Sequence, residues 1–502
     1  MAKTSNSKKV IIIGAGLGGL AAAARLCADG YKVEIYEKEA LSGGRAHLIE
    51  KDGYRFDIGP TLLMMVDVLD DVFAATGKKR EDYLEIIQLH TNYRVAFGDG
   101  TSGRFGTNLA ELTKELEKID PEGPEQFYRL FSKLSMMYRL GRKRFIDKNF
   151  DTIFDFLDPI SGLQLVRHGG LKRLASFVGS YMRDQRLVQL FSFQSMYLGV
   201  SPYDAPAIYA IVAYMETAKG IWYAKGGMHQ VPKALTRLVK DLGGTVHYNR
   251  PVRKIIVEQQ QAVGIELEDG TRVEGDIIIS NADLTYTYQK LLTSKERPHF
   301  GDARIGKLKH SYSALLYYWG VDADVSGLDH HNVYFSENYK ESFNQVFRDN
   351  RLPEKPAFYT HVPTKTDSTV APKGKHIVYT LVPVPNLNSS VDWETAKKEM
   401  RAHVLGTLRE RFGVDLSKKI ESEVIFTPQE FKDKYNLTHG AAFGLTHHLS
   451  QSGYFRPHNY VEGIKGLYLV GASTYPGSGV PMVLLSGKLV TERIQRDNRG
   501  VL

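Results

Sequence analysis

Four β-branched residues in succession, Val10-Ile11-Ile12-Ile13, form a concentrated apolar run near the start of the chain. A run without polar alternation predicts a strand buried on both faces, as in a parallel sheet. A helix-forming stretch covers residues 20–29 and stops at Gly30, and a second strand, Lys32 to Tyr36, ends in Glu37. The pattern then predicts a polar helix over 108–118, a break at Pro121 and Pro124, and a long helical region over 125–215. A helix over 230–242 and strands over 245–248, 251–258, 262–267 and 276–282 follow. Residues 311–384 are strand-rich, the stretch from Gly466 reads as a strand with a glycine-rich turn, and 484–493 as a helix. Strands alternating with helices predict an α/β fold with a mixed-sheet second part and an inserted helical part. No repeat or low-complexity linker separates them, so the domains are expected to interleave.

The length of 502 residues sets a prior of two to three domains. With 42% hydrophobic and 24% charged residues, the chain is neither disordered nor fibrous nor a polytopic membrane protein. A single cysteine, Cys27, excludes a disulfide framework and any multi-cysteine metal site, and no metal is expected. Cys27 reads as a small buried hydrophobe. A net charge of +8 over this length is too mild to argue for nucleic acid as a partner, though a basic patch against anionic lipid fits it. The run from Val10 to Ala24 imitates a signal peptide, but its glycines and the interruption at Arg25 argue against one. No stretch approaches the roughly 18–20 apolar residues of a spanning helix, so membrane contact is expected to be peripheral.

Gly14-Ala15-Gly16-Leu17-Gly18-Gly19 follows the first strand at once and sets G-x-G-x-x-G at Gly14, Gly16 and Gly19. Gly14 permits a tight turn, Gly16 lets backbone N–H groups approach a pyrophosphate, and Gly19 lets helix and strand pack closely. The helix N-terminus favours negative charge. Glu37, about 20 residues on, can accept hydrogen bonds from both ribose hydroxyls. The glycines alone are weak evidence; strand, glycines, helix, strand and acid in this order are strong.

Ser42-Gly43-Gly44-Arg45-Ala46 and Tyr54-Arg55-Phe56-Asp57-Ile58-Gly59-Pro60-Thr61 extend the pattern. Arg45 supplies a cation suited to phosphate oxygens. Together these segments resemble the amine oxidase and phytoene desaturase superfamily of FAD enzymes. Further matches are Gly220-Ile221-Trp222-Tyr223-Ala224-Lys225-Gly226-Gly227-Met228, Ala441 to Leu445, Tyr454 to Pro457 and Gly466 to Val483. The resemblance covers essentially the whole chain and is nearest to the bacterial phytoene and 4,4′-diapophytoene desaturases.

That resemblance implies an FAD-binding Rossmann-like domain over 1–107, 226–300 and 455–502. It also implies a mainly helical substrate and membrane domain over 108–225 and a strand-rich substrate domain over 301–454. It places FAD against Gly14, Ala15, Gly16, Leu17, Gly18, Gly19, Glu37, Lys38, Gly43, Gly44 and Arg45. The same set continues through Gly59, Pro60, Thr61, Leu62, Val252, Asn281, Gly471, Ala472, Val480, Pro481 and Met482. Val252 would lie near the adenine, and the last helix N-terminus near the reduced flavin's negative charge.

The implied activity is desaturation of a colourless polyisoprenoid, 4,4′-diapophytoene or phytoene, by hydride transfer to flavin. The implied setting is the cytoplasmic face of a membrane, with a quinone or oxygen as electron acceptor. Alternatives are a C30 carotenoid terminal-methyl oxidase forming an aldehyde, a soluble amine oxidase, and a flavin-free prenyl-lipid escort. The last conflicts with the intact Gly44-Arg45 and C-terminal signatures. One departure stands out: many desaturases of this group carry His where this chain has Tyr475, and Ala where it has Ser478. Tyr475 is expected to be able to donate a hydrogen bond in place of that His. Asp155 and Asp158 are candidates for a proton acceptor, with helix caps or solvated charges as the alternative; no catalytic base is assigned. Arg139, Arg142, Lys143, Arg144, Lys148, Lys172, Arg173, Arg183 and Arg186 read either as a membrane face or as solvated helix faces.

Overall fold

The structure is a computed structural model that describes residues 8–142, 146–156, 167 and 169–498. Lys9–Ile13 forms the centre of a five-stranded sheet, flanked by Ile277–Ser280 and Lys32–Tyr36, with Leu467–Leu469 and Thr245–His247 at the edges. All of its pairings are parallel. Val10, Ile11 and Ile12 are fully buried, as the unbroken β-branched run requires. The helix Leu17–Ala28 leaves directly from the glycine loop and packs against the helices Gln230–Asp241 and Val480–Asn498. Its contact with the latter is close because Gly487 has no side chain. A Cβ there would lie 2.8 Å from the Ala21 Cβ and 2.9 Å from the Gly18 carbonyl oxygen. The C-terminal turn is thereby held beside the N-terminal glycine loop, although the two are almost a whole chain apart.

A seven-stranded sheet makes the second layer, in the order 420–426, 313–321, 376–384, 358–361, 331–335, 91–97 and 102–106. Its strand Ser313–Val321 is buried at every position, between the helix Trp393–Phe412 on one face and the cluster around Tyr54, Phe56 and Phe431 on the other. The hairpin Thr91–Gly106, expected from sequence within the dinucleotide part, adds to the edge of this sheet. Tyr93, Val95 and Phe97 bury themselves in the core that also holds Phe335 and Phe193.

Helices 109–119, 123–141, 153–156, 174–179, 185–190 and 211–219 belong to the described helical part, whose core holds Phe127, Leu130, Leu134, Leu187 and Phe191. The last helix, expected over 484–493, runs from Val480 to Asn498, so its first turn begins inside the glycine-rich signature. Among the described residues no helix is long and apolar enough to cross a membrane. Cys27 is buried, and burial pushes its thiol up to about 12.

Candidate active site

The two layers enclose one continuous cavity of about 610 Å³. At one end it is bounded by Gly14, Gly16, Leu17, Gly18, Glu37, Lys38, Gly43, Gly44 and Arg45, with Val252 and Asn281 beside them. Gly59, Pro60, Thr61 and Leu62 form one wall further in, and Gly471, Ala472, Gly479, Val480 and Pro481 form another. The far end is aromatic and apolar, with Tyr312, Tyr339, Phe343, Phe358, Tyr359 and Tyr379 from the second layer.

Three expected cofactor residues stand outside this lining. The Ala15 N–H donates to Glu37 Oε2 at 2.6 Å, and the Ala15 side chain is fully buried. Gly19 faces inward: a Cβ there would sit 2.7 Å from the Gly14 carbonyl oxygen, which is the close helix–strand packing the third glycine serves. Met482, one turn into the last helix, packs against the core instead.

The dinucleotide end is fastened by its own side chains. Glu37 also accepts the Glu39 N–H at 3.0 Å, so both carboxylate oxygens are fixed at the end of the second strand. Burial pushes its carboxyl up, and the two backbone donors oppose that shift. Asn281 Nδ2–H donates to the Gly14 carbonyl at 3.1 Å. A Cβ on Gly16 would come within 2.6 Å of that same Nδ2, so the Asn281 side chain closes directly on the loop backbone. The Arg45 guanidinium is buried along the cavity, with Nη1–H donating to the Ala442 carbonyl at 3.0 Å. Burial lowers its pKa, and the charge of Asp283 acts against that.

Deeper in, Thr61 Oγ1 lies 2.8 Å from Tyr359 Oη, and Tyr359 Oη lies 2.6 Å from His331 Nδ1. Behind Tyr359, His330 and His361 share a hydrogen bond between their Nε2 atoms at 3.0 Å. The ligating atoms of His330, His331 and His361 lie within 4.8 Å of one another, and among the described residues no carboxylate joins the group. Burial keeps these imidazoles neutral, pulling His330 down to about 3 and the other two well below the ordinary value. Tyr223 packs edge-on to His330 with centroids 4.9 Å apart, so the group is a stacked, hydrogen-bonded support behind Tyr359.

Sequence reasoning missed Tyr359, the three histidines and Glu216. Glu216 carried a readable signal, a lone acid in the apolar helix run Ile211 to Ala218. His331 and His361 sit at the ends of buried strands and His330 directly before one, where no periodicity marks them.

Two expectations fail on geometry. Tyr475 does not line the cavity; its ring packs against Phe150 and Leu489, and its buried hydroxyl has no hydrogen-bond partner among the described residues. The imidazole near this turn comes from His447, whose Nε2 accepts the Ser478 N–H at 3.3 Å and whose Nδ1–H donates to the Leu198 carbonyl at 2.7 Å. Asp155 is exposed and caps a local turn, accepting the Thr152 N–H at 2.8 Å and the Asp151 N–H at 3.1 Å. Asp158 lies outside the described residues, as do Lys143 and Arg144. Of the other basic residues, Arg142 pairs with Asp67 and Asp147, Arg183 with Glu122, and Arg186 with Asp184 and Asp99.

The chain matches the family of flavin containing amine oxidoreductases over residues 17–495. The zeta-carotene-forming phytoene desaturase of Myxococcus xanthus is 37% identical over 495 residues, covering 98% of this chain and 95% of that protein. The 4,4′-diapophytoene desaturase (4,4′-diaponeurosporene-forming) of Staphylococcus aureus is 36% identical over 512 residues, covering 98% of this chain and 100% of that protein. A solved oxidoreductase from Methanosarcina mazei shares the fold with a TM-score of 0.63 at 19% identity, covering 96% of this chain and 100% of its own. The glycine cradle, the fixed acid at the second strand and the match along nearly the whole chain agree: this protein belongs to the flavin containing amine oxidoreductase family and is a flavin-dependent oxidoreductase.

Proposed function

We propose that the protein is an FAD-dependent carotenoid desaturase acting on a colourless polyisoprenoid, 4,4′-diapophytoene or phytoene. The observation that carries this reading is the continuity of the cavity from the glycine cradle to an aromatic chamber. A small polar amine would need a charged or polar pocket at the far end; a long hydrocarbon needs the apolar one that is present. Relatives named for phytoene and for 4,4′-diapophytoene are nearly equal in identity, which supports the substrate class rather than one chain length.

The residues at the cradle suit FAD. Glu37 is fixed where ribose hydroxyls would donate to it, and the Gly16 and Gly44 backbones approach closely enough to leave a floor free of side chains. Arg45 presents a buried cation, and the helix starting at Val480 aims its N-terminus at the same cavity. FAD, when bound, supplies a hydride acceptor and passes the electrons on, here to a quinone or oxygen. The protein's part is orientation and exclusion of water. Thr61 and Tyr359 hold the wall beside the cradle, and Phe343, Phe358 and Tyr339 wrap the hydrocarbon.

A route for the substrate suggests itself at the membrane side. Phe154 is 80% exposed and Phe455 53%, on segments that touch each other. Leu449 is exposed on the adjoining turn; Leu171 is exposed next to Gly170, whose carbonyl accepts the Ile208 N–H, and the following Tyr209 places its hydroxyl 2.8 Å from Ser452 Oγ. Lys148, Lys172 and Arg173 are exposed around this face. Aromatic and aliphatic side chains ringed by cations suit the cytoplasmic surface of an anionic membrane.

The test is purified protein with FAD and liposomes holding 4,4′-diapophytoene, phytoene or the already coloured 4,4′-diaponeurosporene. Colour from either colourless substrate is the expected result, and the faster one fixes the chain length. Aldehyde formed from the coloured substrate alone would overturn the desaturase reading in favour of a terminal-methyl oxidase.

A further inference from the structure

Desaturation of a hydrocarbon releases a proton into a dry, apolar chamber, and something must receive it. Glu216, on the helix Ile211–Lys219, is 2% exposed and has no ion pair among the described residues. Its partners are neutral donors: Tyr93 Oη–H to Oε1 at 2.7 Å and Gln194 Nε2–H to Oε2 at 3.0 Å, with the Tyr197 hydroxyl close enough to favour the carboxylate as well. Tyr93 Oη lies 2.7 Å from Tyr197 Oη, and Tyr197 lines the cavity. Tyr197 also stands within electrostatic reach of Tyr359, the residue bonded to Thr61 on the wall beside the cradle. The titratable groups facing Glu216 are therefore Tyr93 from the strand Thr91–Phe97 and Tyr197 from the turn Phe193–Leu198. His331 stands behind Tyr93, with ring centroids 6.1 Å apart. Asn92, also on that strand, binds the Glu216 backbone carbonyl.

We propose that Glu216 is the proton acceptor of the desaturation step, reached from the cavity through Tyr197 and Tyr93. This rests on the desaturase reading. Each new double bond breaks two C–H bonds. One hydrogen leaves with both bonding electrons for the flavin, and the other leaves as a proton while its electron pair becomes the new π bond. Departure of hydride leaves an allylic cation, whose neighbouring C–H is acidic enough for a hydroxyl oxygen backed by a carboxylate. Tyr197 takes the proton as it passes its own to Tyr93, and Tyr93 passes its own to Glu216 Oε1. Both tyrosines end neutral, as they began, and Glu216 ends as the acid. Burial supports this role, because it raises the Glu216 carboxyl to about 7, where it can take and release a proton near neutral pH.

The experiment compares wild type, Glu216→Gln and Tyr197→Phe as flavin-loaded proteins on liposomes with the better colourless substrate. Glu216→Gln keeps the shape and Tyr197→Phe leaves the carboxylate in place, so each checks the other for misfolding. Both are expected to lose about 100-fold or more in turnover, with KM and the bound-flavin spectrum unchanged. Wild-type turnover should rise through about pH 7, and Glu216→Gln should lose that limb. A carboxylic-acid carbonyl stretch should titrate in wild type and, shifted upward by loss of the Tyr197 hydroxyl, in Tyr197→Phe, and be missing from Glu216→Gln, a readout independent of turnover. Wild-type turnover or an intact pH limb in Glu216→Gln would overturn the inference alone. A wild-type protein that desaturates neither substrate would overturn the desaturase reading and the inference with it.

Discussion

Asp57 and Met228 are 171 positions apart, yet Asp57 Oδ2 accepts the Met228 N–H at 2.7 Å. Asp57 Oδ1 takes the next donor, the His229 N–H, at 2.9 Å. One carboxylate thus ties the turn that carries Gly59, Pro60 and Thr61 to the start of the helix Gln230–Asp241. The fit leaves no room at Gly227, whose φ is +102° and whose Cβ would fall 2.6 Å from Asp57 Oδ2. Two sequence motifs that look unrelated are halves of one clamp beside the cavity.

Removing the clamp is expected to be costly. Asp57→Ala deletes two hydrogen bonds to a buried carboxylate, each worth about 1.5–3 kcal/mol for a charged acceptor. A stability loss of about 3 kcal/mol, with weaker flavin retention, is expected in thermal melts and flavin titrations. Burial also lifts the Asp57 carboxyl from 3.8 to about 6. A raised acid binds protons more tightly when folded, so the protonation-linked part of its contribution is full below pH 3.8 and is lost as pH rises through about 6, leaving the hydrogen bonds alone above it. The stability difference between wild type and Asp57→Ala should therefore vary with pH across this window. A pH-independent difference would show that Asp57 does not titrate there.

Arg45 presents a buried guanidinium to the cradle with Ala442 as its hydrogen-bond acceptor in the protein. Arg45→Ala should weaken flavin binding by about 10- to 100-fold, the equivalent of one charge-assisted hydrogen bond. Fluorescence titration of flavin into the apoprotein measures this. Lysine at the same position should recover only part of the loss, because it replaces a planar fork with a point charge.

The parts legible in sequence are those where one short segment carries its own reason. Val10 to Ile13 has to be a doubly buried strand, and the glycines after it leave only one kind of loop, so the cradle could be located to within a few residues. The far end of the cavity could not. Tyr312, Tyr339, Phe358 and Tyr379 come from four separate segments: Phe358 and Tyr379 lie on strands of the seven-stranded sheet, Tyr312 just before one, and Tyr339 starts the helix that follows another. The sheet itself joins His331–Phe335 in parallel to Thr91–Phe97, a long-range pairing that local pattern does not encode. Tyr475 shows the opposite error. Its place in the C-terminal signature suggested chemistry, but the turn directs its ring into the packing between Phe150 and the last helix.

That placement gives a prediction with an unusual sign. The Tyr475 hydroxyl is buried without a hydrogen-bond partner among the described residues, a condition that costs about 1–3 kcal/mol. Tyr475→Phe keeps the ring contacts and removes the orphaned group. It should raise stability by about 1 kcal/mol in a denaturant titration and leave desaturation unchanged. A marked loss of turnover would mean that the hydroxyl works on the substrate after all.

The exposed aromatic face makes the last prediction. Transfer of a phenylalanine side chain out of water is worth about 1.5–3 kcal/mol, so each anchoring ring should contribute roughly tenfold or more to membrane partitioning. Phe154 and Phe455 project from adjoining segments, so both would enter the same leaflet. The double variant Phe154→Ser with Phe455→Ser should leave flavin binding intact and shift the protein from floating with anionic phospholipid vesicles to remaining in the aqueous fraction. Raising salt should weaken the wild-type interaction as well, because Lys148, Lys172 and Arg173 act through charges screened within about 10 Å at 0.1 M ionic strength. Substrate delivery depends on the same face if the hydrocarbon enters from the bilayer. The double variant should then lose turnover with substrate in vesicles and keep it with substrate dispersed in detergent. Equal loss in both would place the defect in the active site, and unchanged flotation would remove this face as the membrane contact.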